Sequence, residues 1–573
     1  MAAPGAPIAA HASARATERN ARAAGAGTIL APRASFRRRV KIPRVFRFGI
    51  EALEEDPAAI EGARVALLSH AAGVTSAGEP SWEVLRRIPG ARLVRLFGPE
   101  HGIDGSAQDM AAVGDAPHAG TGLPVRSLYG STLASLAPAP ADFDGVDVLV
   151  CDLQDVGARY YTFVWTVCLA IDAASRAGVR VVVCDRPNPV GGRTEGEPQT
   201  ADHTSFVGWR RVPVRHGRTV AELALQYRNE ARPDADLTII PMRGWGRRRA
   251  WPAGVPWVSP SPNMPSLATA LVYPGGCLFE ATNLSEGRGT TRPFEQVGAP
   301  WLDAGRLAGA LSDLALPGVR FRAVHFRPVF HKFAGETCHG VFQDVVDPDA
   351  YRPYETGLRI VEQAARQAPR EFRWRREAYE FDARPAIDLL TGSSEFRERL
   401  DAREDLAPFC ARQRDVAPFS PESRLYPDDW PVAVGIAGSH DAGKTTVLER
   451  LVPLLRARGL SVGTVKHTPH DVADDVAGKD SFRHAAAGGD PAAFVRPSAT
   501  TVRRREAIDL RLLLERDFGE CDLVLVEGYK SLPLRRIEVG RAGERSVEYA
   551  GRDFSEDLGG LAFELTKAAR SSS

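Results

Sequence analysis

The chain has 573 residues, with 73 Lys/Arg against 72 Asp/Glu and a net charge of +1, so no global field argues for nucleic acid or an anionic membrane. A content of 44% hydrophobic and 25% charged residues is that of folded domains, roughly two to four at this length. The seven cysteines are scattered and no pair has CxxC spacing, which argues against a disulfide framework or a zinc site and for a reducing compartment. No run approaches the roughly 18 apolar residues of a membrane span.

Residues 1–44 hold nine Arg/Lys against a single acid, Glu18. They lack the apolar core of a secretory signal. Their composition fits a transit peptide, a disordered basic tail or a stretch upstream of the true start, and no function is read from it.

From residue 45, "ARVALLSHAAG", "ARLVRLFGPEHG", "VDVLVCDLQDVG" and "VRVVVCDRPNPVGG" each read as an apolar strand running into a polar, glycine-bearing loop. Helical stretches such as "YTFVWTVCLAIDAASRAG" lie between them. The alternation predicts an α/β fold with a parallel, doubly wound sheet, whose sites gather at the carboxyl ends of strands. The candidates there are His70, Glu100 with His101, Asp152 with Asp155, and Asp185-Arg186. Further on, "SPSPNMPSLATALVYPGGCLFEATNLSEGRGTTRPFEQVGAPW" is rich in Pro, Gly and Asn yet too aromatic for a disordered linker. Long loops in compact domains are usually functional. Glu280, Asn283, Glu286, Arg288 and Arg292 crowd this one.

The motifs "GPEHG", "DLQDVGARYYTF", "DRPNPVGG", "SFVG", "VRHGRTVAELA", "WVSPSPNMP", "YPGGCLFEATNLSEGRGTTRPFE" and "GAPW" together resemble the exo-β-N-acetylmuramidases of the NamZ type, from Phe48 to Tyr426. The resemblance implies a Rossmann-like parallel-sheet domain, placed at 45–215, and a smaller α/β domain, placed at 216–426, with the site in the cleft between. It implies removal of a terminal N-acetylmuramic acid from peptidoglycan fragments, with no cofactor. Such chemistry needs an acid for the leaving oxygen and stabilisation of an oxocarbenium-like state. Glu100 is the first choice of general acid/base, with His101 beside it and Glu286 and Glu280 next. Asp152 and Asp155 are candidates to orient Arg159 or a sugar hydroxyl. Arg288 and Arg292 are candidates to clamp the lactyl carboxylate bidentately. Tyr160, Tyr161 and Trp257 are candidates for the sugar face, and Asn263 and Asn283 for further substrate contacts. Two positions depart from the family pattern: the Asn of its "TNxTG" loop is His70 here, and the Met of "HGMT" is Arg218.

After "PDDWP", a linker at 427–431, the pattern restarts. "PVAVGIAG" reads as a buried strand, and Gly438-Ser439-His440-Asp441-Ala442-Gly443-Lys444-Thr445 fits GxxxxGK[ST], with Thr446 following. Val447, Leu448, Leu451, Leu454 and Leu455 recur at helical spacing, so strand, loop and helix are in the order a phosphate-binding loop requires. Glycines let backbone N–H groups converge on phosphate oxygens, and the helix N-terminus adds positive charge. Lys444 is expected to reach the β/γ-phosphates and Thr445 to ligate Mg²⁺. "CDLVLVEGYK" reads as a strand ending on Glu527, a second group for the metal, directly or through water. His467 and His470 have no third soft ligand at suitable spacing and read as a polar loop.

With that loop, Lys466-His467-Thr468, His470-Asp471, Gly478-Lys479-Asp480-Ser481, Arg483-His484, Gly488 and Glu527-Gly528-Tyr529-Lys530 resemble the molybdopterin-guanine dinucleotide biosynthesis adaptor MobB. The resemblance implies a P-loop NTPase α/β domain, placed at 432–560 before a tail at 561–573. It implies GTP binding with Mg²⁺, weak hydrolysis and a homodimer through this domain. The implied partners are the molybdenum cofactor guanylyltransferase and molybdopterin insertion proteins. No NKxD guanine motif is visible, so base choice rests on the resemblance alone. A cytoplasmic location is expected, with a muropeptide or muramic-acid-containing sugar as the other ligand. Three readings stand: a bifunctional fusion, a cofactor-biosynthesis adaptor whose first part only binds ligand, and a sugar hydrolase with a nucleotide switch.

Overall fold

The apolar runs of the first part become strands of one sheet in the computed structural model. It describes residues 46–108, 114–247, 251–252, 254–414, 416, 423–426, 432–439, 442–458, 460–467, 492–496, 499–503, 510, 513–514, 518, 521, 523–527, 532, 534–540 and 546–570. The sheet comprises β1 (Arg64–Ser69), β2 (Arg92–Gly98), β3 (Ala116–Pro117), β4 (Pro124–Ser127), β5 (Val148–Asp152), β6 (Arg180–Cys184) and β7 (Leu237–Ile240). Their order is β3-β4-β2-β1-β5-β6-β7, parallel throughout except for β3 against β4. β1, β5 and β6 are buried on both faces beyond their first residues, which is why they read as unbroken apolar runs and not as alternations. The strand order reverses at β1, with β2 on one side and β5 on the other. Doubly wound folds place their crevice outside the strand ends at such a point.

The sheet does not stop at residue 215. β7 is its last strand, and the helix Val220–Ala231 before it packs against β6 and β7. β7 is a four-residue edge strand, half-buried throughout, and therefore leaves a weak apolar signal. Beyond it, β8 (Gln296–Ala299), β9 (Val319–Phe326) and β10 (Cys338–Val345) form an antiparallel sheet in the order β8-β10-β9. Helices Leu267–Gly276 and Pro353–Gln367 cross each other at paired glycines, Gly275 and Gly357. A Cβ on Gly275 would lie 1.9 Å from the carbonyl oxygen of Pro353, so only glycine permits that approach. One apolar core joins both sheets, running from Leu68 and Leu149 through Trp165 and Phe279 to Leu358 and Phe396.

The later part has its own core and sheet: β11 (Val432–Ala437), β12 (Val462–Lys466), β15 (Leu523–Glu527), β16 (Arg535–Val539), β17 (Val547–Tyr549) and β18 (Arg552–Asp553), ordered β12-β15-β11-β16-β17-β18. β13 (Ala492–Arg496) and β14 (Ala499–Arg503) form a separate hairpin. The expected tail at 561–573 is largely a helix, Leu558–Arg570, with Leu561, Ala562 and Leu565 buried. Its opening glycines, Gly559 and Gly560, had disguised the helical period. Residues 1–44, the linker 427–431, the Thr468–Gly488 motifs and Gly528–Lys530 lie outside the described residues. Among the described residues no helix is long and apolar enough to cross a membrane.

Four strand-end candidates turn out to fasten the loops to one another. Asp152 accepts from Arg186 Nε at 2.6 Å and Nη2 at 2.8 Å, and from the Ser81 hydroxyl. Both charged side chains are essentially fully buried, and the guanidinium stacks 4.4 Å from the Phe48 ring centre. Asp152 therefore orients Arg186 and not Arg159. Arg159 is buried and donates to the carbonyls of Glu197, Val212 and Leu390 and to Gln199. Asp155 accepts from the Gly157 N–H at 2.6 Å and lies 3.2 Å from His216 Nε2. His70 Nε2 accepts from the Gln154 N–H at 2.8 Å, while Nδ1 faces Pro260 O at 3.3 Å. Burial, then the charge of Arg186, pushes the His70 imidazole down to about 3.

Removing one member of a buried ion pair strands the other, so Asp152→Ala is expected to destabilise the first unit by about 3–5 kcal/mol, read by calorimetric unfolding. His70 is neutral when folded and protonates near 6.5 when unfolded. Its contribution is therefore present above about pH 6.5 and fades as pH falls toward 3. His70→Gln, whose amide oxygen takes the place of Nε2 toward the Gln154 N–H, is expected to flatten the fall of melting temperature between about pH 6.5 and 4.5. Parallel curves for variant and parent would contradict this.

Candidate functional site

Polar side chains carried by the loops of both halves meet in one cleft. β2 ends in Pro99-Glu100-His101-Gly102, where His101 takes φ +70° and Gly102 φ +78°. That tight turn projects Glu100 and His101 into the cleft. Thr162, at the N-cap of helix Phe163–Arg176, does not cap the helix with its side chain. Its hydroxyl donates to Glu100 Oε2 at 2.9 Å. His101 is steadied by Ala107 O, 2.8 Å from Nδ1.

The opposite wall comes from the Pro/Gly-rich segment. Glu280 accepts from Arg288 Nη2 at 2.7 Å and from the Tyr379 hydroxyl at 2.7 Å. Arg288 also lies 3.3 Å from Glu286 and stacks 5.2 Å from the Phe294 ring centre. Asn263 donates to Gln108 at 2.9 Å, and Ser261 and Met264 flank it on the same wall. Tyr160, Tyr161 and Tyr273 complete the aromatic lining, with ring centres 5.9 and 5.7 Å from Tyr160 and Tyr161 to Tyr273. Burial holds all three phenols, and that of Tyr379, well above their ordinary range, so they stay neutral donors. The cleft thus combines carboxylates, one guanidinium, one imidazole and flat apolar faces, a lining suited to a pyranose with its hydroxyls around the edge and C–H groups on its faces.

The cleft gathers Glu100, His101, Tyr160, Tyr161, Asn263, Glu280 and Arg288 from the sequence candidates. It does not include the others. Glu286 is fully buried behind the wall, 3.1 Å from Lys332 and 3.0 Å from His331. Burial pushes its carboxyl up, but Lys332, His331 and Arg288 outweigh that and hold it well below the usual carboxylate range. A carboxylate so held cannot donate a proton. Asn283 bonds the backbone at Glu371 and Arg373, and the largely exposed Arg292 pairs with Glu295. Trp257 packs on Trp251 and donates to Met264 O. His70, Asp152, Asp155 and Arg159 belong to the loop framework. The cleft also holds residues the sequence reading passed over, notably Thr162, Tyr379 and Glu380. Tyr379 and Glu380 stand in "REAYEFDARP", which carries no apolar period and no turn signature.

In the later part, β11 runs into the phosphate-type loop and helix Lys444–Ala457 follows. Gly443, the N-cap, takes φ +85°. A Cβ on Gly438 would lie 2.5 Å from Val539 O, so the loop backbone is held close against β16. Lys444 Nζ donates to Ser439 O at 2.7 Å and Gly438 O at 3.3 Å, folding across the loop. Thr445 and Thr446 are exposed at the helix start. Glu527 ends β15, in register with Ile436 on β11 and Lys466 on β12. It therefore lies at the sheet edge from which the loop departs. His440 and Asp441 lie outside the described residues. A close-packed glycine loop, a lysine reaching over it, and a hydroxyl and a carboxylate at the same edge fit a nucleotide's phosphates and a hard cation.

Comparisons with known proteins divide along the same lines. The family described as "Exo-beta-N-acetylmuramidase NamZ, N-terminal" matches residues 65–268, and its C-terminal counterpart matches 271–426. "Molybdopterin guanine dinucleotide synthesis protein B" matches residues 433–554. Peptidoglycan beta-N-acetylmuramidase NamZ of Bacillus subtilis (strain 168) is 40% identical over 381 residues, 65% of this chain and 89% of that protein. The crystal structure of a DUF1343 family protein from Bacteroides fragilis NCTC 9343 is 31% identical, with a TM-score of 0.59 over 67% of this chain and 100% of that one. The molybdopterin-guanine dinucleotide biosynthesis adapter protein of Escherichia coli (strain K12) is 39% identical over 113 residues, 18% of this chain and 65% of that protein. This chain therefore belongs to the NamZ family of exo-β-N-acetylmuramidases, and behind that unit its residues 433–554 match the MobB family model.

Proposed function

We propose that the NamZ-type unit is a glycoside hydrolase that removes terminal N-acetylmuramic acid from peptidoglycan fragments, with Glu100 as proton donor to the leaving oxygen. The observation that carries this reading is the convergence of Glu100, Glu280 and Arg288 on one tyrosine-lined cleft. Glu100 accepts from a neutral hydroxyl, whereas Glu280 is matched to the Arg288 cation. An anion matched to a cation suits a group that lends negative charge to an oxocarbenium-like centre, which leaves Glu100, at the end of β2, for proton transfer. Arg288 is the guanidinium within reach of the lactyl carboxylate, and Asn263 and Tyr160 serve the sugar's edge and face.

The MobB-type unit, in the same reading, binds GTP. The loop 438–446 cradles the phosphates, and Lys444 swings from the loop carbonyls to the β/γ-phosphates. Thr445 and Glu527 would hold Mg²⁺, whose charge neutralises the phosphate oxygens. The unit then serves molybdopterin guanine dinucleotide synthesis beside a guanylyltransferase and molybdopterin insertion proteins, as a homodimer in the cytoplasm. Salvage of muropeptides in the same compartment reconciles the two units.

Glu100→Gln is expected to lower kcat/KM on a muramic-acid-terminated disaccharide by at least about 100-fold with the melting temperature unchanged. Activity within a few-fold of the parent would exclude the assignment. Lys444→Ala is expected to abolish GTP binding in calorimetric titration and leave sugar hydrolysis intact. Loss of hydrolysis as well would favour a nucleotide switch.

A further inference from the structure

Glu380 and Phe381 form the tip of a two-residue hairpin. Tyr379 and Asp382 exchange both backbone hydrogen bonds across it, at 2.8 and 3.0 Å. Between them Glu380 takes φ +45° and Phe381 φ +66°. Two successive positive φ values define a type I′ turn, normally built from Asn-Gly because a Cβ is disfavoured there. A glutamate and a phenylalanine in those positions are strained, and strain of this kind clusters where a site requires a particular side chain.

The turn sets Glu380 in the cleft wall and Phe381 beside it, against Tyr129 and Phe206. Glu380 is buried in its wall and accepts from the Tyr129 hydroxyl at 2.8 Å. Phe381 is 39% exposed. Its ring centre lies 5.8 Å from Tyr129 and 6.5 Å from Phe206, whose neighbour Val207 is itself part of the cleft wall. Phe381 therefore stands at the rim, propped by two aromatic rings and partly open to solvent. The deep lining, Tyr160, Tyr161 and Tyr273, is by contrast buried.

An exo-acting hydrolase encloses the terminal sugar and lets the rest of the glycan leave through the mouth. We propose that the Glu380–Phe381 turn is the subsite for the sugar on the leaving-group side of the scissile bond. Phe381 stacks on that ring's C–H face, and Glu380 accepts hydrogen bonds from its hydroxyl or amide groups. The inference rests on the muramidase reading of the cleft and adds which side chains recognise the second sugar.

The test uses full-length Glu100→Gln protein, so that substrate persists, titrated calorimetrically with the disaccharide N-acetylmuramyl-β-1,4-N-acetylglucosamine and separately with N-acetylmuramic acid. Adding Phe381→Ala is expected to weaken the disaccharide by about 3- to 10-fold. The monosaccharide should stay within about twofold, and Phe381→Tyr should restore the disaccharide. Adding Glu380→Gln is expected to weaken the disaccharide selectively as well. Equal losses for both sugars, or an unchanged disaccharide affinity, would overturn the subsite. Hydrolysis of a chromogenic β-N-acetylmuraminide by the parent protein is measured in parallel. Turnover with no selective loss refutes the subsite alone, whereas no turnover and no binding of either sugar refutes the muramidase reading and the subsite with it.

Discussion

A fully buried carboxylate organises the cleft wall. Glu286 has no access to water, and a charge so placed must be matched by neighbouring cations. Arg288 and Lys332 supply the match, and His331 Nδ1 lies 3.0 Å from the same carboxylate. Arg288 and Lys332 each hold a second partner as well. Arg288 turns its other nitrogen to Glu280 in the cleft. Lys332 donates to the carbonyls of Phe279 and Leu284 and so fixes the turn that carries Glu280. Residues 279–294 and 331–332 are thus bound into one unit, and Glu280 and Arg288 keep their geometry because Glu286 lies behind them.

A second buried network performs the same task across the cleft. Asp152 with Arg186, and His70 with Gln154, tie the ends of β1, β5 and β6 together at the point where strand order reverses. The turn after β2 can then hold His101 at positive φ and present Glu100 next to Thr162. The two networks differ chemically. One uses matched charges around an anion, the other a buried ion pair beside a neutral imidazole. Both leave the cleft with groups whose positions are set from behind.

Legibility in the sequence followed how local each signal was. The phosphate-binding loop was readable residue by residue, because strand, glycines, lysine and helix are contiguous. The parallel sheet was readable from runs such as "VDVLVCD", which are apolar throughout because both faces are buried. Glu100, Glu280 and Arg288 were readable as polar residues in the right neighbourhood. Their neighbours Glu286, Asn283 and Arg292 looked the same, since spacing along an irregular loop does not tell which side faces the cleft. His70, Asp152, Asp155 and Arg159 stand at strand ends, where a fold needs polar side chains to fasten loops as much as to bind ligands. Glu380 left no trace, because a type I′ turn is recognised by Asn-Gly and this one contains Glu-Phe. The helix Leu558–Arg570 was hidden by its two opening glycines.

In the proposed reaction Glu100 gives its proton to the leaving oxygen of a muramic acid glycoside. The measurement that tests it most directly compares parent and Glu100→Gln on two substrates, the natural disaccharide and a 2,4-dinitrophenyl β-N-acetylmuraminide. Dinitrophenolate departs without protonation. The account predicts a loss of at least about 100-fold on the disaccharide and only a few-fold loss in the bond-breaking step on the aryl glycoside. Equal losses on both substrates would contradict it and move the proton donor elsewhere in the cleft.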